Sequence, residues 1–200
     1  MAQVITLKIT YADCDNRIWR EAQISENSYI SKLGYMVLST FDTLAYHLFS
    51  VEYNGVLFEF PSDDRSIKPE ECLFYVKLKD LNLNIGDKLQ MVYDFGCEQV
   101  FDIEVVDISP MPRGTGTAYP KILRGEGRGI LDDVSARETL EIIKQIDKTG
   151  KSEHYVQTEY VSQYLWDYRD YRLDLDNGLL KGEIAQIEDA YSYFEQFVEE

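Results

Sequence analysis

The side chains of this chain best placed by type to hold a ligand or move a proton are Arg20, His47, Tyr93, Asp94, Glu126, Asp132 and Asp133. Carboxylates at Asp94, Glu126 and Asp132 could line one pocket between the Tyr93-Asp94-Phe95-Gly96 turn and the segment from Gly125 to Asp133. General acid/base work needs two such groups whose surroundings separate their proton affinities. A purely structural account competes at each position. Asp94 can accept bonds from turn amides while Gly96 takes a left-handed backbone angle. Asp132 and Asp133 point apart as sequence neighbours, and they precede a helix start whose dipole favours negative charge.

Several motif fragments fail on inspection. Gly125-Glu126-Gly127-Arg128-Gly129 invites a phosphate-loop reading, but Ile130 stands where the dinucleotide fingerprint needs glycine, and Glu126 repels phosphate. Gly150-Lys151-Ser152 ends a predicted helix, whereas a P-loop opens one. Asp174-Leu175-Asp176-Asn177-Gly178 has its glycine one place early for a calcium loop and Ala185 where the closing glutamate belongs, so it reads as a turn capping the last helix. The two histidines, His47 and His154, have no second histidine at ligand spacing. A Cys97–His47 dyad has no supporting motif. The expectation is therefore no catalytic set, no metal and no cofactor.

The elements that must position these groups follow from periodicity. Ile5, Leu7 and Ile9 alternate as in a half-buried strand, and Ile18 to Ile24 reads as its hairpin partner across Asp13-Cys14-Asp15-Asn16. Ile30, Leu33, Val37, Leu38 and Phe41 repeat at helical spacing. Strands are predicted at Phe49 to Tyr53, Val56 to Phe60, Leu73 to Leu78, Leu89 to Tyr93 and Val100 to Ile108, with a loop from Pro110 to Pro120. Ser135-Ala136-Arg137-Glu138 is a capping box, and Gly150 suits the far end of that helix. A last helix is expected from about Leu179 to Val198. The sum is an α+β protein: an antiparallel or mixed sheet with packed helices, β-grasp-like order at the N-terminus and a helical C-terminal segment. One domain over residues 1–200 is expected, with a core over about 3–150 and a helical extension over about 151–200.

Charge narrows the partners. With 36 acidic and 20 basic residues the net charge is −16, which repels a phosphate backbone. Direct nucleic-acid binding is disfavoured, and another protein is the expected partner. Three scattered cysteines fit reduced thiols, and no apolar run approaches a membrane span, so a cytoplasmic protein is expected. Tyr160, Tyr164 and Tyr168 recur every four residues beside Trp166, the spacing of one helical face. Core packing is the leading reading for them, and a protein-binding face makes Tyr160, Tyr164, Trp166 and Tyr168 a candidate interface.

Tyr93-Asp94-Phe95-Gly96, Tyr119-Pro120, Gly125-Glu126-Gly127, Ile18-Trp19-Arg20 and His47-Leu48 together resemble the plasmid pRiA4b ORF-3-like family, whose members are often labelled transposon passenger proteins of TnpR type. The resemblance implies a fold and a mobile-element setting more than an activity. Where members continue the signature with Asp, Trp and His, this chain has Cys97, Gln99 and Phe101. The family's Pro-Pro-Glu-Asp block becomes Ile130-Leu131-Asp132-Asp133. A serine recombinase's nucleophile, arginine set and basic module are lacking. Three functions remain open: a non-enzymatic acidic interaction module, in one version a nucleic-acid mimic; a small-molecule-binding or enzymatic pocket near Asp94, Glu126 and Asp132; and a DNA-binding transposition accessory.

Overall fold

In the computed structural model, residues 2–62, 67–156 and 163–197 are described. Strands β1 (Gln3–Tyr11) and β2 (Trp19–Ser25) form the predicted hairpin, followed by α1 (Ile30–Thr40). Next come β3 (Phe49–Tyr53), β4 (Val56–Phe58), β5 (Lys88–Tyr93), β6 (Gln99–Pro110) and β7 (Lys121–Glu126). Helix α2 (Ala136–Thr149) precedes a short ribbon, β8 (Tyr155–Val156) with β9 (Tyr164–Leu165), and α3 (Leu173–Tyr191).

Seven strands make one sheet in the order β4-β3-β5-β6-β1-β2-β7. Every pair in it is antiparallel, and the β-grasp likeness expected from element order is not shown. Alternation along the strands explains the layering. Leu7, Ile9, Tyr11, Phe101, Ile103 and Val105 are buried, while Lys8, Gln90, Asp102 and Glu104 on the opposite face are exposed. Helix α1 is buried at every position except Lys32. A helix apolar on all sides must be covered on all sides. The sheet covers one side and α3 the other, with Tyr191 of α3 against Tyr35 of α1 at 5.5 Å between ring centroids.

Two predicted helix ends are realised. Ser135 Oγ accepts from Glu138 N (3.3 Å), Glu138 Oε2 accepts from Ser135 N (3.2 Å), and Gly150 closes α2 at φ 74°.

Other expectations need correction. Leu73 to Leu78 is a turn with a short 3-10 helix over Leu78–Leu81, not a strand. Residues 174 to 178 lie inside α3 rather than in a turn before it. Asp174 and Asp176 occupy its first turn, where the dipole favours them, and Asn177 makes two bonds with the backbone of Ile122 in β7 (2.9 and 2.8 Å). The predicted helical tyrosine face also dissolves. Tyr164 is in β9, Tyr168 is in a turn, and Tyr160 lies outside the described residues, as does Val198. Trp166 and Tyr168 are buried in the core, so neither anchors an exposed interface. Among the described residues no helix is long and apolar enough to cross a membrane.

Candidate functional site

Three loops converge at one end of the sheet. The first follows α1 and carries Leu44, Tyr46 and His47. The second is the β5–β6 turn with Asp94, and the third is the stretch ahead of α2 with Asp132 and Asp133. Pairing of β3 with β5 places Phe49 opposite Tyr93, and Asp94 N donates to Leu48 O (3.1 Å), which sets His47 beside Asp94. Gln99, at the first position of β6, supports the third loop. Its Nε2 donates to Val134 O (2.7 Å), and its Oε1 accepts from Tyr11 OH.

Asp94 adopts φ 54°, so the left-handed angle expected of Gly96 falls on the aspartate. That geometry turns Asp94 Oδ1 onto the amides of Gly96 (3.1 Å) and Cys97 (3.4 Å). Its other oxygen, Oδ2, is buried without a hydrogen-bond partner, on a side chain only 7% exposed. His47 Nε2 lies 3.6 Å from it and 3.0 Å from Asp133 Oδ1. The imidazole sits against Tyr46 and the edge of Tyr93, with centroid distances of 4.2 and 5.7 Å. Tyr46 OH donates to Asp133 Oδ2, and Tyr191 OH to the carbonyl of His47.

The neighbouring carboxylates are tuned in opposite directions. Asp133 is held below the ordinary range by the Tyr46 hydroxyl and by His47, so it stays ionised. Asp132 is pushed upward by burial, although it accepts from Tyr93 OH (2.8 Å) and Leu44 N (3.0 Å). Desolvation and the Asp132 charge push the Tyr93 phenol up. Burial and Asp94 push the Cys97 thiol up as well, away from the thiolate a Cys97–His47 dyad would need. Two cavities flank the cluster. One of about 420 Å³ is lined by His47, Leu48, Tyr191 and Phe194, and one of about 590 Å³ by Asp132, Asp133, Arg128 and Tyr164; Tyr46 borders both.

The remaining candidates lie elsewhere. Phe95 is exposed at the turn tip, and Glu126 bonds Trp19 Nε1 on the surface (3.4 Å). Arg20 faces the core and is spent on protein. Its guanidinium donates to the carbonyls of Trp19, Thr40, Glu126, Gly127 and Arg128 at 2.6–3.1 Å and rests 3.8 Å from the Tyr171 ring centroid. The glycine-rich loop thus presents carbonyls to an internal cation, the reverse of a phosphate cradle. Gly127 is required for this, because at φ 76° a Cβ would stand 2.4 Å from Arg17 O. Gly125 allows the same approach, since a Cβ there would meet Arg20 Cδ at 2.7 Å. The sequence reading missed Tyr46, whose signal was its place next to His47. His47, Asp94 and Asp133 were candidates in the sequence, but their direct approach to one another is visible only in the fold.

The family profile described as plasmid pRiA4b ORF-3-like protein matches residues 3–176. The chain belongs to this family. Its fold is also that of a crystal structure of a protein of unknown function, MM3350 from Methanosarcina mazei Go1. The TM-score is 0.62 at 20% identity, over 75% of this chain and 84% of that one. Likeness at that identity speaks to fold alone. No curated protein matches. His47, Tyr93 and Asp94 gather against Asp132 and Asp133. Cys97 stays at the Asp94 turn, Gln99 ties β6 to the third loop, and Phe101 packs between Tyr11 and Phe41 at 5.5 and 4.8 Å.

Proposed function

We propose that this pRiA4b ORF-3-like protein is a ligand-binding domain whose site is the cleft of Tyr46, His47, Asp94 and Asp133, and that the group it takes is positively charged. The observation that carries this reading is Asp94 Oδ2. Buried side-chain atoms are nearly always paired, and a buried carboxylate oxygen without a donor costs more than a neutral atom in the same position. Among the described residues, four buried side-chain atoms have no partner: Thr43 Oγ1, Asp94 Oδ2, Thr139 Oγ1 and Trp166 Nε1. Only the aspartate belongs to an acid, and only it faces a second carboxylate across an imidazole. Strain kept at one charged atom fits a site that a cationic ligand relieves. An acidic interaction surface draws less support, because two of its proposed aromatic anchors, Trp166 and Tyr168, are core residues.

Asp94→Asn tests the reading through two measurements with opposite signs. The retained Oδ1 keeps the turn bonds and the neutral amide removes the unpaired buried carboxylate oxygen, so stability should rise by ~1–2 kcal/mol and the melting temperature with it. Binding of cationic ligands, followed by calorimetry across divalent ions, spermidine and arginine amide, should disappear. A variant that is less stable and still binds would make Asp94 a structural residue.

A further inference from the structure

Resting on that cleft reading, we infer that the ligand is one divalent first-row transition-metal ion, coordinated by His47 Nε2, Asp94 Oδ2 and Asp133 Oδ1. The three ligand atoms lie within 4.8 Å of one another. Such an ion sits about 2.0–2.2 Å from imidazole nitrogen and carboxylate oxygen, which sets neighbouring ligand atoms about 2.8–3.6 Å apart at octahedral to tetrahedral angles. The His47–Asp133 and His47–Asp94 separations of 3.0 and 3.6 Å fall in that interval. The third edge, Asp94 to Asp133, is bounded by the same 4.8 Å.

The surroundings are those of a coordination site rather than a salt-bridge cluster. A single imidazole N–H can give one good hydrogen bond, yet His47 Nε2 is aimed at two carboxylates. Two anions around one imidazole leave uncompensated negative charge that a dication neutralises. Each carboxylate has its non-ligating oxygen held: Asp94 Oδ1 by the Gly96 and Cys97 amides, Asp133 Oδ2 by the Tyr46 hydroxyl. Fixing the outer oxygen is how second-shell donors orient a metal ligand. Asp132 is not a ligand, because Tyr93 and Leu44 occupy its two oxygens. One imidazole with two carboxylates favours Mn²⁺, Fe²⁺, Co²⁺ or Zn²⁺ over the all-oxygen preference of Mg²⁺ and Ca²⁺. Three protein ligands leave at least one position for water or a second molecule, the pattern of reactive rather than structural sites.

The test is titration of the EDTA-stripped full-length protein with CoCl₂, read by its visible absorption and by calorimetry, with MnCl₂ and ZnCl₂ in parallel. The expected result is one ion per chain. His47→Ala and Asp94→Asn should each weaken binding at least 100-fold, and Tyr46→Phe about 10-fold, all with melting curves that show folded protein. Equal affinity in wild type and His47→Ala would mean ordinary ion pairing to an acidic surface and would overturn the proposal. If no divalent ion binds but spermidine or arginine amide does, and Asp94→Asn abolishes it, the metal is wrong and the cleft reading stands. If neither class of ligand binds, both fall.

Discussion

Arg20 and Asp94 are both buried charges, yet every N–H group of the first reaches an acceptor and one oxygen of the second reaches no donor. Both border the C-terminal end of α1: Arg20 is bonded to Thr40, and Asp94 faces His47 in the loop that leaves the helix. Around Arg20 the chain bends to serve the charge, with carbonyls from β2, α1 and the Gly125–Gly129 loop gathered on one guanidinium. Around Asp94 the turn serves one oxygen and leaves the other directed at His47 and Asp133. A charge whose bonds are complete holds elements together and has nothing left for a ligand. A charge left incomplete is unfavourable to the empty fold, and this is the mark that separates the site from the scaffold.

The sharpest way to break this contrast is to remove Arg20. Arg20→Ala strips acceptors on three elements of their donor and leaves Asp176, 3.4 Å from Nε, without its cation. We expect a loss of ~3–5 kcal/mol in urea denaturation, with Arg20→Lys recovering only part, because one ammonium cannot reach the same set of carbonyls. A loss below ~1 kcal/mol would place Arg20 among the spare charges and remove the distinction from Asp94. Gly127→Ala acts on the same knot from the loop side. It combines a left-handed backbone with a 2.4 Å approach to Arg17 O and should cost ~2–3 kcal/mol. Cation binding at the Asp94 cleft should persist if this variant folds, because the bonds that hold His47, Asp94 and Asp133 are made to residues outside this loop. Loss of binding in a folded Gly127→Ala protein would show that the two regions are one.

What the sequence displayed of this arrangement was what local spacing can display. The β1–β2 hairpin, α1, the β5–β6 pair and the capped α2 each carry their own period or their own cap, and each lies within a few residues of its predicted bounds. Strand β7 was hidden because an edge strand needs little apolar alternation; Ile122 is its one fully buried side chain. Tyr164 and Tyr168 share helical spacing by accident, since tertiary burial of Trp166 and Tyr168 overrides it. His47, Asp94, Asp132 and Asp133 were all visible as motif pieces. Their assembly was not, because it joins loops separated by as many as 86 residues, and its signal is an unsatisfied atom rather than a pattern.

The finest test of the comparison is the proton affinity of Asp176, the carboxylate partner of Arg20. Its side chain is 11% exposed and accepts from Thr40 OH (2.7 Å) and Tyr171 OH (3.0 Å). Burial pushes its carboxyl above the usual value, against the pull of Thr40, Arg20 and Tyr171. Burial likewise draws Arg20 downward, although a guanidinium keeps its charge at any pH the fold survives. Both shifts say that desolvation outweighs a long ion pair. A carboxyl raised in the folded state contributes its stability fully below the unfolded value and loses it as pH rises through the folded one. Asp176→Asn does not titrate, so the stability of the wild type relative to this variant should fall as pH rises from about 4 through the raised value. The slope should stay below ~1.4 kcal/mol per pH unit, the limit for one proton. A difference that grows with pH would mean that the Arg20 charge dominates Asp176. The knot would then be held by ion pairing, and the carbonyls gathered on the guanidinium would be secondary to it.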